Sequence, residues 1–538
     1  MNKETAAILL ESLLERLECD SAMVSSYERQ ALRLAVQTLK EDAEPALPEP
    51  PITPPELPLL DPETPNPPLI TLDLSSIERE ETADNVLMCL DFGTAMSKAF
   101  ASDFSYFSLR KQHMDLELGV AAGREGYTLP SSVFIADNGK AYFGFEAIEK
   151  SEGIAVDSDR KRLDSIKSWI SYEGTLDGEA NTLSKAENPS GVKLTKGNLL
   201  LIYLAYFTDM AEKALKDYMD EPKYVKRRYA RPCWAEERVK GKDKLMRQML
   251  AEAQILADTF SGRWVGGIDV VELKAAVEQI KELDRQPDYL IAEGVPEPVA
   301  VAAGAIANSE NIRDAYMVVD AGAGTTDFGL FIATRASQDE EFGVFQIFKS
   351  IRGLPLAGDS VDGLLREFIV KKEAINRNDR SDRLILADLS RRIRSFKEIL
   401  FKNEELEYTL SKDRIGKVQL DDFLADETVV NFRRVVELGF KGVLEAVDKS
   451  WLPLLDRGGL NVVLTGGSSS LPMMRALGEG FIHVKGHPIK RRLINPKPYW
   501  LDDMPNELLV VYPQLAVAIG GTAKTMPETK DAPDRFLG

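Results

Sequence analysis

Residues 86–101 read VLMCLDFGTAMSKAFA and residues 315–331 read AYMVVDAGAGTTDFGLF. Each is an apolar run that ends in an aspartate, passes through a turn of glycine and threonine, and resumes as a second apolar run. Apolar runs of this length bounded by small residues predict strands, so each stretch predicts a β-hairpin with an aspartate, Asp91 or Asp320, at the end of its first strand. A pattern that occurs twice predicts a duplicated architecture. From about Asp84 to Lys524 short apolar runs alternate with longer helical patterns, the signature of α/β layers.

The turn residues carry chemistry. Gly93 lets the backbone come close to an anion, and Thr94 and the following amide of Ala95 supply hydrogen-bond donors. Gly322, Ala323, Gly324, Thr325 and Thr326 form the second donor-rich turn. Two such turns facing each other would clamp phosphate groups, with Asp91 and Asp320 holding Mg²⁺ through water. An ordinary hairpin with an Asx turn is the alternative for either segment alone. A third segment, LNVVLTGGSSSLPMMRALGE at 460–479, is a strand followed by Gly466 and Gly467, a serine run and Pro472 at a helix start. Its glycines fit close approach to a ribose or base, or simply a tight strand-to-helix connection.

These three segments, in this order, resemble the nucleotide-binding domain of the seventy-kilodalton heat-shock proteins, within the actin and hexokinase superfamily. LPSSVFIADNGKAYFGFEA, RLDSIKSWI, RPCWAEER, EGVPEPVAVAAGA, GDSVDGLL, LSRRIRSFKEIL and YPQLAVAIGGTAK resemble further family segments in the family's order, over about residues 84–524. The resemblance implies a two-lobed actin-like ATPase fold of duplicated ribonuclease-H-like domains, with ATP and Mg²⁺ as cofactors. It implies Asp91 and Asp320 around Mg²⁺, Thr94 and Thr325 near the γ-phosphate, Glu297 near the attacking water, and Lys167 as the catalytic lysine. It places Gly358, Arg394, Lys397, Glu398, Gly466, Gly467, Ser468 and Ser470 around the nucleoside. Read from the residues alone, Glu297 before Pro298 caps a helix, and Lys167 is an exposed partner for Asp164.

The sequence departs from the family in three places. Ala95 and Met96 stand where a second threonine and an aromatic residue are common. Ala323 stands where a third glycine is usual. Glu398 and Ser470 fall where two arginines would sandwich adenine, with Arg394 and Lys397 close by. About fourteen residues follow the domain, too few for the peptide-binding module of a complete chaperone.

The first forty-odd residues carry apolar side chains at helical spacing on two segments, Ala6 to Leu17 and Val24 to Leu39. They predict a helical hairpin over 1–42, which resembles the dimerisation helices of small glutamine-rich tetratricopeptide co-chaperones and implies a homodimer. Eleven prolines between Pro45 and Pro68 predict an extended spacer over 43–70 of up to about 70 Å. Residues 525–538 read as a tail.

With 67 Lys and Arg against 86 Asp and Glu, a net charge of −19 opposes a polyanionic partner, so nucleic acid is not expected. The basic runs at Lys223 to Arg231 and Lys490 to Arg492 read as solvated faces or phosphate-adjacent loops. Three dispersed cysteines and three histidines give no disulfide or metal-ligand spacing, and no apolar run predicts a membrane span. The expectation is a cytoplasmic ATP-driven switch acting on a protein partner or co-chaperone. Three alternatives remain: an actin-like scaffold or filament protein, a pseudo-ATPase that binds without turnover, and a small-molecule kinase.

Overall fold

A computed structural model describes residues 70–529 apart from 107–111, 156–157, 173–174, 307–313, 336–341, 412–413 and 524–527. The chain divides into two compact units, Met1–Asn66 and Pro67–Gly538. The hairpin expected at 1–42 and nearly all of the spacer lie outside the described residues, and every feature below belongs to the second unit.

The fold is mixed α/β. One sheet contains β1 (Ala83–Asp91), β2 (Met96–Asp103), β3 (His113–Asp115), β4 (Val225–Arg231) and β5 (Val295–Pro296), in the order β3-β2-β1-β4-β5. A second contains β6 (Ala315–Ala321), β7 (Thr326–Arg335), β8 (Phe342–Ile347), β9 (Leu460–Thr465) and β10 (His487–Ile494), in the order β8-β7-β6-β9-β10. In both, the first three strands run antiparallel as a meander and the last two add parallel to the first. One strand order therefore occurs twice, and the first strand of each copy is central. That position explains why Met88, Cys89, Leu90 and Met317, Val318, Val319 are all buried whichever face they take. The second sheet is extended by Phe481–Val484 on β10, and Glu528–Thr529 pairs with β8, so the segment read as a tail includes a short paired stretch.

Eight helices matter to the site: α1 (Ser168–Tyr172), α2 (Lys196–Leu215), α3 (Glu236–Phe260), α4 (Glu297–Val301), α5 (Gly358–Lys372), α6 (Arg380–Asn403), α7 (Glu427–Ala446) and α8 (Asn506–Gly521). The start of α2 is fixed by a reciprocal capping box between Thr195 and Asn198, and α6 and α7 begin on Asp379 and Asp426, whose carboxylates accept amide hydrogen bonds. Helix α4, with the helical stretch Ala302–Ile306 that follows it, and α8, the two segments resembling connecting helices, cross at glycines. A Cβ on Gly520 would lie 1.7 Å from the Ala300 carbonyl oxygen, and one on Gly304 would lie 2.9 Å from the Gly520 Cα. No side chain fits at this crossing, so the backbones pack directly.

Two sequence expectations take a different form in the structure. The basic run at 223–231 is a solvated face only in part: Lys226 is exposed, but Arg227 is fully buried against Glu212 and Gln254, and Arg228 donates to the carbonyls of Gly521 (2.9 Å) and Ala523 (2.7 Å) at the end of α8. Strand β4 lies inside the sheet, where a cation must find a partner. The second unit also takes in residues before β1. Ile70, Leu72, Leu74 and Ile77 pack on the first core, Lys223 donates to Ser75 (2.7 Å), and Tyr289 donates to the Ser76 carbonyl (3.0 Å). No described helix is long and apolar enough to cross a membrane.

Candidate functional site

The two hairpin turns come together. The turn between β1 and β2 holds Gly93, Thr94 and Ala95, and that between β6 and β7 holds Gly322 to Thr325; all seven are partly accessible. A Cβ on Gly324 would stand 2.7 Å from Thr94 Oγ1 and 3.1 Å from its Cγ2, so the turns touch at this point and glycine there permits the approach. Gly93 is required within its own turn, because a Cβ would fall 2.0 Å from the Met96 carbonyl oxygen. The first turn is braced by Ser131, whose amide donates to the Ala95 carbonyl (2.8 Å) and whose hydroxyl donates to that of Gly93 (2.6 Å).

Beneath the turns lies a cluster of buried charges. Asp91, Glu297, Asp320 and Asp327 are each at most 6% exposed. Lys167 Nζ stands 2.6 Å from Glu297 Oε1, and Lys98 Nζ stands 3.1 Å from Asp91 Oδ2. Lys167 is therefore buried and paired with Glu297; it is not the exposed partner of Asp164, which instead accepts from Arg162 Nε at 2.9 Å. Burial alone would favour neutral Lys167, but the nearby carboxylates of Glu297 and Asp91 outweigh it and hold the ammonium above its ordinary range. Glu297 is the first residue of α4, behind an N-cap at Pro296, and its carboxylate accepts from Lys167. Burial, with the charge of Glu297 beside it, pushes Asp320 well up, against the stabilising hydrogen bond from Thr465 Oγ1 at 2.8 Å. Asp327 is pushed up for the same two reasons.

Four carboxylates share a dry place with two ammonium groups, and burial together with this crowding of like charge favours protons on Asp320 and Asp327. A divalent cation above Asp91 and Asp320 would relieve the crowding, so the donor set fits Mg²⁺. Among the described residues no three acidic, histidine or cysteine side chains are grouped to ligate a metal directly. A cation here would complete its shell with water and phosphate oxygens.

The third turn closes on the second. Gly466 has φ +83°, and a Cβ there would meet the Ala321 carbonyl oxygen at 2.4 Å and Asp320 Oδ1 at 2.8 Å, which only glycine accommodates. The Gly466 amide donates to the Pro513 carbonyl of α8 (3.1 Å). Ser468 is buried and donates to the Gly322 carbonyl (2.7 Å), whereas Gly467, Glu398 and Ser470 are exposed. Gly358 stacks on the same turn, its amide 3.3 Å from the Gly322 carbonyl oxygen.

Three expected contacts are redirected. Thr326 is fully buried and its hydroxyl donates to the Leu356 carbonyl (2.7 Å), so it does not face the gap between the turns. Arg394 is taken by Asp359 (3.1 Å) and Lys397 by Asp362 (2.8 Å). Asp359 also accepts from Ser165 (2.5 Å), two residues before Lys167. The sequence reading missed Asp359 and Asp362 as partners of these cations, and Ser131 as the brace. It also missed Asp327, which accepts from the Cys233 amide (2.7 Å) and the Thr325 hydroxyl (2.6 Å). An acid two residues after the turn threonine, inside an apolar strand, was the available signal.

No family model matches this chain, and no curated protein matches it. The site's meaning therefore rests on its own geometry.

Proposed function

We propose that this chain is an ATPase of the two-lobed, actin-like fold, resembling the nucleotide-binding domain of the seventy-kilodalton heat-shock proteins, and that it works as a slow ATP-driven switch on a protein partner. The observation that carries this is the meeting of two turns of one sequence pattern, at Thr94 and Gly324, directly over a buried pair of aspartates and a lysine–glutamate pair. The repeated strand order supports the duplicated fold. In this reading the Thr94 hydroxyl and amides of the two turns donate to phosphate oxygens, while the Thr325 hydroxyl stays on Asp327. Glu297, oriented by the charged Lys167, takes the proton of the attacking water, and the Lys167 ammonium faces the developing negative charge. Mg²⁺, held through water by Asp91 and Asp320, would neutralise charge on the phosphates. Closure and opening of the lobes about the α4–α8 crossing would carry the nucleotide state to the partner.

Residues 1–42 would add self-association in the cytoplasm. Binding without turnover is the second reading, favoured by the engagement of Arg394 and Lys397 with Asp359 and Asp362, which removes two groups expected at the nucleoside end.

The test is single-turnover ATP hydrolysis with Mg²⁺ by wild type and Asp320→Ala, beside titrations with ATP, ADP and GTP. Turnover by wild type alone supports the switch ATPase. Binding without turnover selects the second reading, and no binding overturns both.

A further inference from the structure

The second sheet ends in a free edge. Phe481–Val484 pairs antiparallel with β10, Phe481 opposite Lys490, Ile482 opposite Ile489 and His483 opposite Pro488, and among the described residues no strand pairs with its other side. Lys485 and Gly486 join the two strands with φ +46° and +91°, the backbone of a tight turn that matches strand twist. Opposed residues in an antiparallel pair alternately bond to each other and face away. The Arg491 amide donates to the Gly480 carbonyl (2.8 Å), so Ile482 also bonds to β10, while the N–H and C=O groups of Phe481 and His483 point out of the sheet. Pro488, opposite His483, has no N–H to give, in keeping with this phase.

The edge is also cationic. From Gly480 to Ile494 the sequence holds Lys485, Lys490, Arg491 and Arg492 and no acid, in a chain of net charge −19. Arg491 turns inward and is buried, 5.9 Å from the Phe440 ring. Lys490 and Arg492 alternate with it and are exposed, so the basic run is a solvated face at those two positions. The two acids that reach this hairpin, Asp456 and Glu437, stand against His487 (3.1 Å) and Arg491 (3.6 Å). Among the described residues no carboxylate pairs with Lys485, Lys490 or Arg492; Lys485 donates to the Glu445 carbonyl (2.5 Å) and Arg492 to that of Gly458 (3.1 Å). Phe481 is 60% exposed and stands beside Lys490 on the same face.

We propose that this edge binds an extended acidic segment of a partner protein, which adds as a further strand beside Phe481–Val484. The segment's backbone bonds to the outward N–H and C=O groups of Phe481 and His483, the mode by which exposed sheet edges take up peptides. Its carboxylates, on alternate residues, meet the long side chains of Lys490 and Arg492 across the one intervening strand. The backbone match selects a polypeptide over a nucleic acid, and the net charge of −19 opposes a long polyanion. Like charge on the two edges opposes a second copy pairing edge to edge. The binding is independent of the proposed ATPase activity.

The test is titration of the full-length protein, without nucleotide, with a synthetic peptide of about eight residues, a common strand length, in which glutamate and threonine alternate. It is followed by calorimetry and by amide hydrogen exchange. Binding is expected to saturate with a Kd of roughly 10–100 μM and to slow exchange at Phe481 and His483. The peptide with glutamine for glutamate, and the Lys490→Glu variant, should each bind about fivefold more weakly, the factor for one exposed ion pair at its strongest. His483→Pro removes an outward N–H and should weaken binding by at least about tenfold, whereas His483→Thr keeps that N–H and should bind like wild type. Equal affinity for the glutamate and glutamine peptides, undiminished binding by a folded His483→Pro, or no saturation by about 1 mM would overturn the proposal. The last is what a lysine-guarded edge that only resists aggregation would give. Tighter binding of a single-stranded oligonucleotide, or self-association that His483→Pro abolishes, would assign the edge to a nucleic acid or to a second copy and equally overturn it. Because no nucleotide is present, failure here leaves the ATPase reading standing.

Discussion

Gly324→Ala probes the contact on which the functional reading depends. Gly324 does not have a left-handed backbone, so alanine is tolerated locally and the perturbation is confined to one methyl. That methyl would lie 2.7 Å from Thr94 Oγ1 and 3.1 Å from Thr94 Cγ2. Thr94 is β-branched and held in a turn, so it cannot swing aside freely. Restoring ordinary contact at about 3.5 Å requires the turns to part by roughly 0.8 Å. A displacement of that size in a site that positions reacting groups costs about 10- to 100-fold in rate. Overpacking of this kind costs about 1–3 kcal/mol in stability. The assay is a double-mutant cycle of Gly324→Ala with Thr94→Ala, read by single-turnover hydrolysis and by chemical denaturation. Thr94→Ala clears the space, so the double variant should be more stable than the sum of the singles by at least about 1 kcal/mol. Additivity within about 0.5 kcal/mol, or a Gly324→Ala rate within about twofold of wild type, would refute the idea that the turns act as one clamp.

Three further outcomes are expected. Lys167→Met or Glu297→Leu alone strands a buried charge and should cost about 3–5 kcal/mol in denaturant unfolding, whereas the double replacement should cost far less; hydrolysis should be lost in all three. Burial lifts the Asp209 carboxyl to about 7, so the folded state keeps a proton that the unfolded chain, with an ordinary value near about 4, has lost. Its contribution to stability therefore declines as pH rises from about 4 to 7 at up to about 1.4 kcal/mol per unit and is flat above that. Asp209→Asn should flatten that slope by about one proton and raise stability at pH 8, as read from urea unfolding across pH 5–8. Finally, a chain starting at residue 84 loses the packing of Ile70, Leu72, Leu74 and Ile77 and should be on the order of 3–5 kcal/mol less stable than one starting at residue 70, measured by thermal denaturation.

Much of the site was readable because its elements are local. A strand that ends in Asp91 or Asp320 and turns on glycine and threonine is specified by side-chain volume and backbone freedom within a dozen residues, and Gly466 announces its tight turn in the same way. The partners of those elements were not readable. Lys167 meets Glu297 across 130 positions of sequence, the Cys233 amide meets Asp327 across 94, and Arg394 meets Ser165 across 229. The burial of Arg227 and the seating of Arg228 on the end of α8, 293 positions away, likewise arise only when β4 enters the sheet.

The sequence by itself determined the two aspartate-ended hairpins, the glycine-bearing third turn and the α/β alternation, because backbone propensity and apolar patterning act between neighbours. Only the tertiary structure decided that Thr326 turns away to Leu356, that Arg394 and Lys397 are spent on Asp359 and Asp362, and that Asp327 joins the charge cluster. A charged or hydroxyl side chain takes whichever partner the packed sheets and helices bring within about 3 Å, and nothing in its own neighbourhood of sequence fixes which one that will be.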